Sequence, residues 1–391
     1  MVFLKRVILR FWALRSMAAL LIALVLLSVF CLTEGSAQAF EGSVSAQSAV
    51  LIAADTGTIL YEKDAYIRRS MASTTKIMTA LLTLETAGQE DDPEVDITEE
   101  MVRVEGSSMG LRAGDRLTLT GLATGMLLAS GNDAANAAAL YLGGSPEDFA
   151  EMMNRRAAAI GMQDTHFVTP SGLDDDAHYS TAYDMALLAI EAMKNPEFSR
   201  IASSKNLQVE FLAPEVRKVS YTNHNKLLQM YEDCIGVKTG FTKKSGRCLV
   251  SAAQRDGITL VCVTLNAPDD WNDHIALLDY GFSCMKSVSF DGSGYSAQLP
   301  VVGGMQKTVT VCGVQGGAVA LPVSEADQVI DRVLLPRFLY APVEIGDEVG
   351  RICWYIDDKL VYSIPVRAKE KVEFLLPEPA FWEKVQNWFK E

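Results

Sequence analysis

Histidine is scarce in this 391-residue chain, and His166, His178, His224 and His274 form no HExxH or similar pattern that would bind a metal. Cysteine is almost as sparse. Cys234, Cys248, Cys262, Cys284, Cys312 and Cys353 follow residue 39 without a single Cys-x-x-Cys pair, which argues against a zinc cluster or a dense disulfide scaffold. Several sit in apolar, strand-like runs, so buried free thiols are expected, with one or two bridges left open for an exported protein. Positive charge is also short, with 35 Lys and Arg against 49 Asp and Glu and a formal net charge of −14. Such a surface repels nucleic acid, and no basic run or interleaved aromatic patch offsets it.

The chain has one long apolar run, Met17 to Cys31, preceded by Lys5, Arg6, Arg10 and Arg15 and followed by Ala37-Gln38-Ala39. The run is shorter than the roughly 20 residues that span a bilayer, and the small residues suit a signal peptidase. Residues 1–39 therefore read as a signal peptide cleaved after Ala39 rather than as an anchor. Bulky Phe30 before Cys31 argues against a lipoprotein. Cleavage removes four positive charges and Glu34, leaving a mature net charge of about −17.

The remaining length suffices for two domains. Residues 49–54 and 58–61 read as a hairpin around Asp55-Thr56-Gly57, and a helix is expected from Ser73, with Ile77, Met78, Leu81 and Leu84 on its apolar side. Asp91 to Glu100 looks like a solvated acidic loop. Leu119 to Leu128 and Asp133 to Leu142 look helical on either side of Ser130-Gly131-Asn132. Thr181 caps a helix running to about Lys194, which makes Asp184 structural rather than catalytic. Cys234 to Thr239, Arg247 to Gln254 and Ile258 to Leu265 are strands joined by short turns. The fold class is thus α+β: residues 40–285 form an antiparallel sheet covered by helices, and residues 286–376 a small all-β domain. In residues 377–391, Phe381, Trp382, Val385, Trp388 and Phe389 fall on one helical face, which suits an amphipathic helix lying in a membrane interface.

The chemistry is carried by three short motifs. A serine hydroxyl needs a neighbouring base, and Ser73 and Lys76, three apart on one helical face, can meet. A helix N-terminus also aims free N–H groups at developing negative charge. Lys238-Thr239-Gly240 at a strand end supplies a second cation that would ease proton loss from Lys76, and Gly240 permits close backbone approach. Ser130-Gly131-Asn132 supplies a hydroxyl for proton relay and an amide for a substrate carbonyl.

In this order the three motifs resemble those of the penicillin-binding serine D-alanyl-D-alanine carboxypeptidases. Longer similar stretches surround them, at residues 71–79, 128–135, 165–173, 222–228 and 236–242, and the resemblance runs nearly the length of the mature chain. It implies a serine β-lactamase/penicillin-binding-protein-like catalytic domain. It also implies that Ser73 forms an acyl-enzyme on peptidoglycan stem peptides ending in D-Ala-D-Ala and that β-lactams inhibit covalently. By the same resemblance Lys76 is the general base, and Ser130 protonates the leaving amine. Asn132 holds the peptide, Lys238 and Thr239 bind the terminal carboxylate beside Gly240, and the N–H groups of Ser73 and Phe241 hold the oxyanion. No cofactor or metal is implied, and the place of work is the outer face of the cytoplasmic membrane.

Some members carry an arginine after the last motif strand to bind the carboxylate, whereas residues 267–274 contain none. Arg247 is the substitute available, against its reading as an exposed strand residue. The same residues would serve a D,D-endopeptidase. A class A β-lactamase typically has Ser-Asp-Asn for Ser130-Gly131-Asn132 and lacks the trailing domain, and a non-catalytic β-lactam sensor would not need the complete motif set. Deleting residues 380–391 is expected to move the mature protein from the membrane to the soluble fraction. Retention at the membrane together with an intact Met1 N-terminus would identify the apolar run as the anchor instead.

Overall fold

In a computed structural model that describes residues 40–375, alternation along the central strands sorts side chains into two separate cores. Val50 and Ile52 of β1 (Ser48–Ala53) enter one core, and Ala49, Leu51 and Ala53 enter the other. The five-stranded sheet runs β2-β1-β9-β8-β7, antiparallel throughout, with β2 at Thr58–Lys63, β7 at Cys234–Thr242, β8 at Gly246–Arg255 and β9 at Ile258–Leu265. Covering on both faces explains why β1, β8 and β9 read as nearly continuous apolar runs rather than as half-polar strands.

One face is covered by helices from the middle of the chain. These are α1 (Lys76–Gln89), α2 (Leu119–Leu128), α3 (Asn132–Gly143), α4 (Pro146–Ile160), α5 (Ala182–Lys194) and α6 (Pro196–Ser203), followed by the single turn α7 (Leu227–Met230). Leu122, Ala123, Met126, Leu127 and Leu128 are all sealed from solvent, so α2 is a central helix apolar nearly all round. Ala134, Ala135, Ala137, Ala138 and Ala139 are equally buried, and their small size lets α3 pack close to its neighbours. The other face is covered by α8 (Asp270–Cys284), through Leu277, Leu278 and Phe282.

The Thr181 side chain accepts from the Asp184 N–H at 3.0 Å, as the capping pattern requires, and Asp184 accepts from the Asp164 N–H and the Thr165 hydroxyl. The acidic segment expected as a loop contains a short strand, β3 (Glu94–Asp96), paired with β4 (Arg116–Thr118). Only Val95 in that strand is buried, so its pattern was too short to register. A second hairpin, β5 (Asn206–Phe211) with β6 (Arg217–Thr222), also lies off the main sheet.

After α8 the chain enters β10 (Met285–Ser289), which pairs with β13 (Ala318–Pro322) and shares a core with α8 through Ala320. A six-stranded sheet follows in the order β14-β16-β17-β12-β11-β15, with β11 at Ser296–Val302, β12 at Thr308–Gly313, β14 at Ile330–Leu334, β15 at Leu339–Tyr340, β16 at Glu348–Ile356 and β17 at Lys359–Ala368, around Val309, Val311, Ile352, Ile364 and Val366. One short helical turn, α9 (Val323–Ala326), interrupts an otherwise all-β unit. The fold class is therefore the α+β catalytic unit and small β unit expected. The N-terminal apolar run and the C-terminal amphipathic segment lie outside the described residues. Among those described, no helix is long and apolar enough to cross a membrane.

Candidate active site

Ser73 lies in a 3₁₀ turn, Ala72–Thr75, that runs directly into α1. The α-helix thus begins three residues later than the spacing alone suggested. Ala72 holds a left-handed backbone at φ +49°, and the hydroxyls of Thr74 and Thr75 donate to the carbonyls of Met71 and Ala72 at 2.6 and 2.8 Å. Those side-chain bonds tighten the entry into an i→i+3 turn.

Lys76 is the first α-helical residue and is fully buried, as is Lys238 apart from 1% of its surface. The Lys76 Nζ lies 3.0 Å from Ser73 Oγ, 2.6 Å from Asn132 Oδ1 and 2.7 Å from the Ser171 carbonyl. Asn132 Nδ2 donates to the Glu105 carbonyl at 2.6 Å, which fixes the amide with its oxygen toward Lys76. Two of the three partners of Lys76 can only accept, whereas the Ser73 hydroxyl can also donate. A neutral amine has two N–H bonds and one lone pair, and this environment matches that form. Burial holds the Lys76 pKa well below 10.5, the positive charge of Lys238 lowers it further, and Asp133 opposes both. Burial brings Lys238 down to about 7.

Ser130 sits at φ +59° between α2 and α3, where its Oγ accepts from Lys238 Nζ at 3.1 Å. Lys238 also donates to the Thr239 carbonyl at 2.8 Å. The cleft, about 350 Å³, is lined by Ser73, Ser130, Thr239, Gly240 and Phe241. Every sequence-predicted site residue therefore meets at one place, where the edge strand β7 faces the start of α1. Asn132 differs only in opening α3 rather than ending the loop. A Cβ on Gly240 would stand 3.0 Å from the Ser73 N, the Thr74 N and the Met71 O, a tight contact that glycine spares as β7 approaches the Ser73 backbone.

Several contributors escaped sequence reasoning. Asp133 gathers the Ser108 hydroxyl and the N–H groups of Met109, Gly110 and Leu111, clamping a loop whose Ser107 lines the cleft. Its place beside Asn132 in the first turn of α3 was the available signal. His224 and Lys226 line the opposite wall, and burial and the charge of Lys238 lower the His224 pKa. Arg247 lines the cleft while its side chain stays 41% exposed. Its Nε and Nη2 both donate to Asp270 Oδ1, at 3.0 and 2.6 Å, and its guanidinium lies 5.5 Å over the Trp271 ring. Among the described residues no group of His, Cys, Asp or Glu could hold a metal ion.

Comparison with known proteins agrees with this geometry. The family profile described as D-alanyl-D-alanine carboxypeptidase matches residues 34–269, and that of the penicillin-binding protein 5 C-terminal domain matches residues 286–374. The chain is 31% identical to D-alanyl-D-alanine carboxypeptidase DacF of Bacillus subtilis, over 92% of this chain and 95% of that one. It is 31% identical to DacC of Escherichia coli, over 85% of each. Among solved structures, penicillin binding protein 5 of Haemophilus influenzae superposes with a TM-score of 0.64 at 27% identity, covering 85% of this chain and 98% of that one.

The Gly240 approach yields a test. Gly240→Ala, which changes no charge, is expected to slow reaction of Ser73 with a labelled β-lactam by about 10- to 100-fold, because the new methyl pushes β7 off the nucleophile's amide. A wild-type rate would show that the approach carries no catalytic geometry.

Proposed function

The chain belongs to the D-alanyl-D-alanine carboxypeptidase family, and from that membership together with the cleft geometry we propose how its residues divide the reaction. It is a serine-type D-alanyl-D-alanine carboxypeptidase, a hydrolase that removes the terminal D-alanine of peptidoglycan stem peptides.

Ser73 Oγ adds to the carbonyl carbon of the penultimate D-alanine as its proton passes to the neutral Lys76 amine. The resulting oxyanion lies between the Ser73 and Phe241 N–H groups. When the C–N bond breaks, the Ser130 hydroxyl gives its proton to the departing amine and is resupplied from the lysine pair. Water then adds to the ester, expels Ser73 Oγ and regenerates the free serine. Asn132 holds the peptide while it orients Lys76. Lys238, Thr239 and Arg247 receive the terminal carboxylate. The observation that carries this division is the buried Lys76 amine, 3.0 Å from Ser73 Oγ with acceptor-only partners on its other sides.

The wider setting belongs to the same proposal. Residues 1–39 export the chain, residues 40–285 catalyse, and residues 286–376 stand between them and an amphipathic anchor at 377–391 on the outer face of the membrane. The support is the sequence pattern at the two ends.

Incubation with a D-alanyl-D-alanine peptide is expected to release free D-alanine, and Ser73→Ala to abolish that release; unchanged release by the variant would remove Ser73 as nucleophile. The pH profile tests the base. Lys76 acts when deprotonated and its pKa is depressed. Acylation should therefore rise with pH and level off above an apparent pKa lower than that of free lysine, a value belonging to the coupled Lys76–Lys238 pair. A rate that declines steadily as pH rises through neutrality is incompatible with this role for Lys76.

A further inference from the structure

The loop at residues 165–173 supplies no side chain to the cleft, yet its backbone accepts from Lys76 and from the next turn of α1. The Ser171 carbonyl accepts from Lys76, and the Pro170 carbonyl accepts from Thr79 Oγ1 at 2.6 Å, one turn along α1. Gly172, at φ +83°, lies so close to Ala72 that a Cβ there would stand 1.9 Å from the Ala72 oxygen. What ties this loop to the nucleophile's turn is His178, buried to 2% exposure.

The direction of each hydrogen bond around that imidazole is fixed. Nδ1 accepts from the N–H of Val168 at 2.9 Å and of Thr169 at 3.2 Å, so it carries no proton. Nε2 therefore carries it and donates to Thr75 Oγ1 at 2.8 Å. The Thr75 hydroxyl in turn spends its own proton on the Ala72 carbonyl at 2.8 Å. The chain of donors ends on the residue immediately before Ser73, whose left-handed backbone is strained for a non-glycine residue and persists only where its surroundings enforce it. Burial lowers the His178 pKa to about 4, Asp174 and Asp175 pull it back up and His166 pushes it down, which leaves the ring neutral at physiological pH.

We propose that His178, as the neutral Nε2–H tautomer, is a positioning residue for the Ser73–Lys76 pair: through Thr75 it locks the strained Ala72 turn and holds the Ser171 carbonyl on Lys76. The proposal rests on Ser73 and Lys76 being the reactive pair. His178 touches no substrate. Its loss misplaces the nucleophile without removing a binding contact, so it acts on the chemical step.

The test measures acylation by a labelled penicillin, together with kcat and KM for a D-alanyl-D-alanine peptide. His178→Ala is expected to lower acylation and kcat by about 10- to 100-fold with KM nearly unchanged. Thr75→Val should do the same, and the double variant should lose no more than the worse single one, since both break one chain of bonds. His178→Gln, with one acceptor and one donor, should recover most of the rate. Wild-type acylation by His178→Ala, multiplying losses in the double variant, or a Gln variant no better than Ala would each overturn the proposal. If His178→Ala does not fold, nitrogen-15 NMR of the wild-type histidines decides: neutral Nε2–H at pH 6 supports it, and an imidazolium or Nδ1–H tautomer overturns it. Labelling that survives Ser73→Ala overturns the underlying reading too, whereas Ser73-dependent labelling untouched by His178→Ala overturns this inference alone.

Discussion

A lysine amine sealed from water is the constraint around which this catalytic unit is organised. Taking an ammonium into a dry interior costs several kcal/mol unless it is paired with a carboxylate, and Lys76 has none in contact. The cheaper solution is loss of the proton, and the site is shaped for the neutral form. Two fixed acceptors, Asn132 Oδ1 and the Ser171 carbonyl, occupy its N–H bonds and leave the lone pair for Ser73. The sealing itself comes from the apolar helix α2 and the alanine-rich α3, which bring the Ser130–Asn132 corner against α1.

Acceptors of this kind are useful only if they cannot move. The Asn132 amide is braced by the Glu105 carbonyl, and the loop that follows Glu105 is gathered by the Asp133 carboxylate. Gly106 at φ +91° gives the loop its sharp turn, and a Cβ there would come within 2.6 Å of Asn132 Nδ2. On the other side the Ser171 carbonyl belongs to a loop fastened by Thr79 and His178. Two irregular segments are thereby each held by several hydrogen bonds, as a pair kept at hydrogen-bond distance requires.

What the sequence made legible follows from this division of labour. The roles proposed for Ser73, Lys76, Ser130, Asn132 and Lys238 are carried by side chains, so that chemistry demands those residue types and their spacing shows on one-dimensional inspection. The Ser171 and Glu105 carbonyls act through the backbone, which every residue possesses, and nothing in the residue identity marks them. The Arg247–Asp270 pair joins a strand to a helix start, and no local periodicity brings those positions together. The main sheet and α1 to α3 were readable because their apolar runs are long. β3 and the β5–β6 hairpin were not, because short, half-exposed strands carry few alternations.

The two lysines also make substrate and base interdependent. Arg247 enters the cleft already neutralised by Asp270, so Lys238 holds the balance of charge nearest Ser130 and Thr239. With burial bringing its pKa to about 7, Lys238 is only partly protonated near neutrality. A carboxylate bound at Thr239, as proposed, would favour the ammonium, and a fully charged Lys238 favours the neutral amine on Lys76 more strongly than a partly charged one does. On the proposed roles, the terminal carboxylate of the peptide would thus sharpen the base that its own scissile carbonyl needs. A peptide ending in an amide would forgo that coupling as well as the contact itself, so on the same proposal a preference for a free C-terminus would act on the chemical step and not on binding alone.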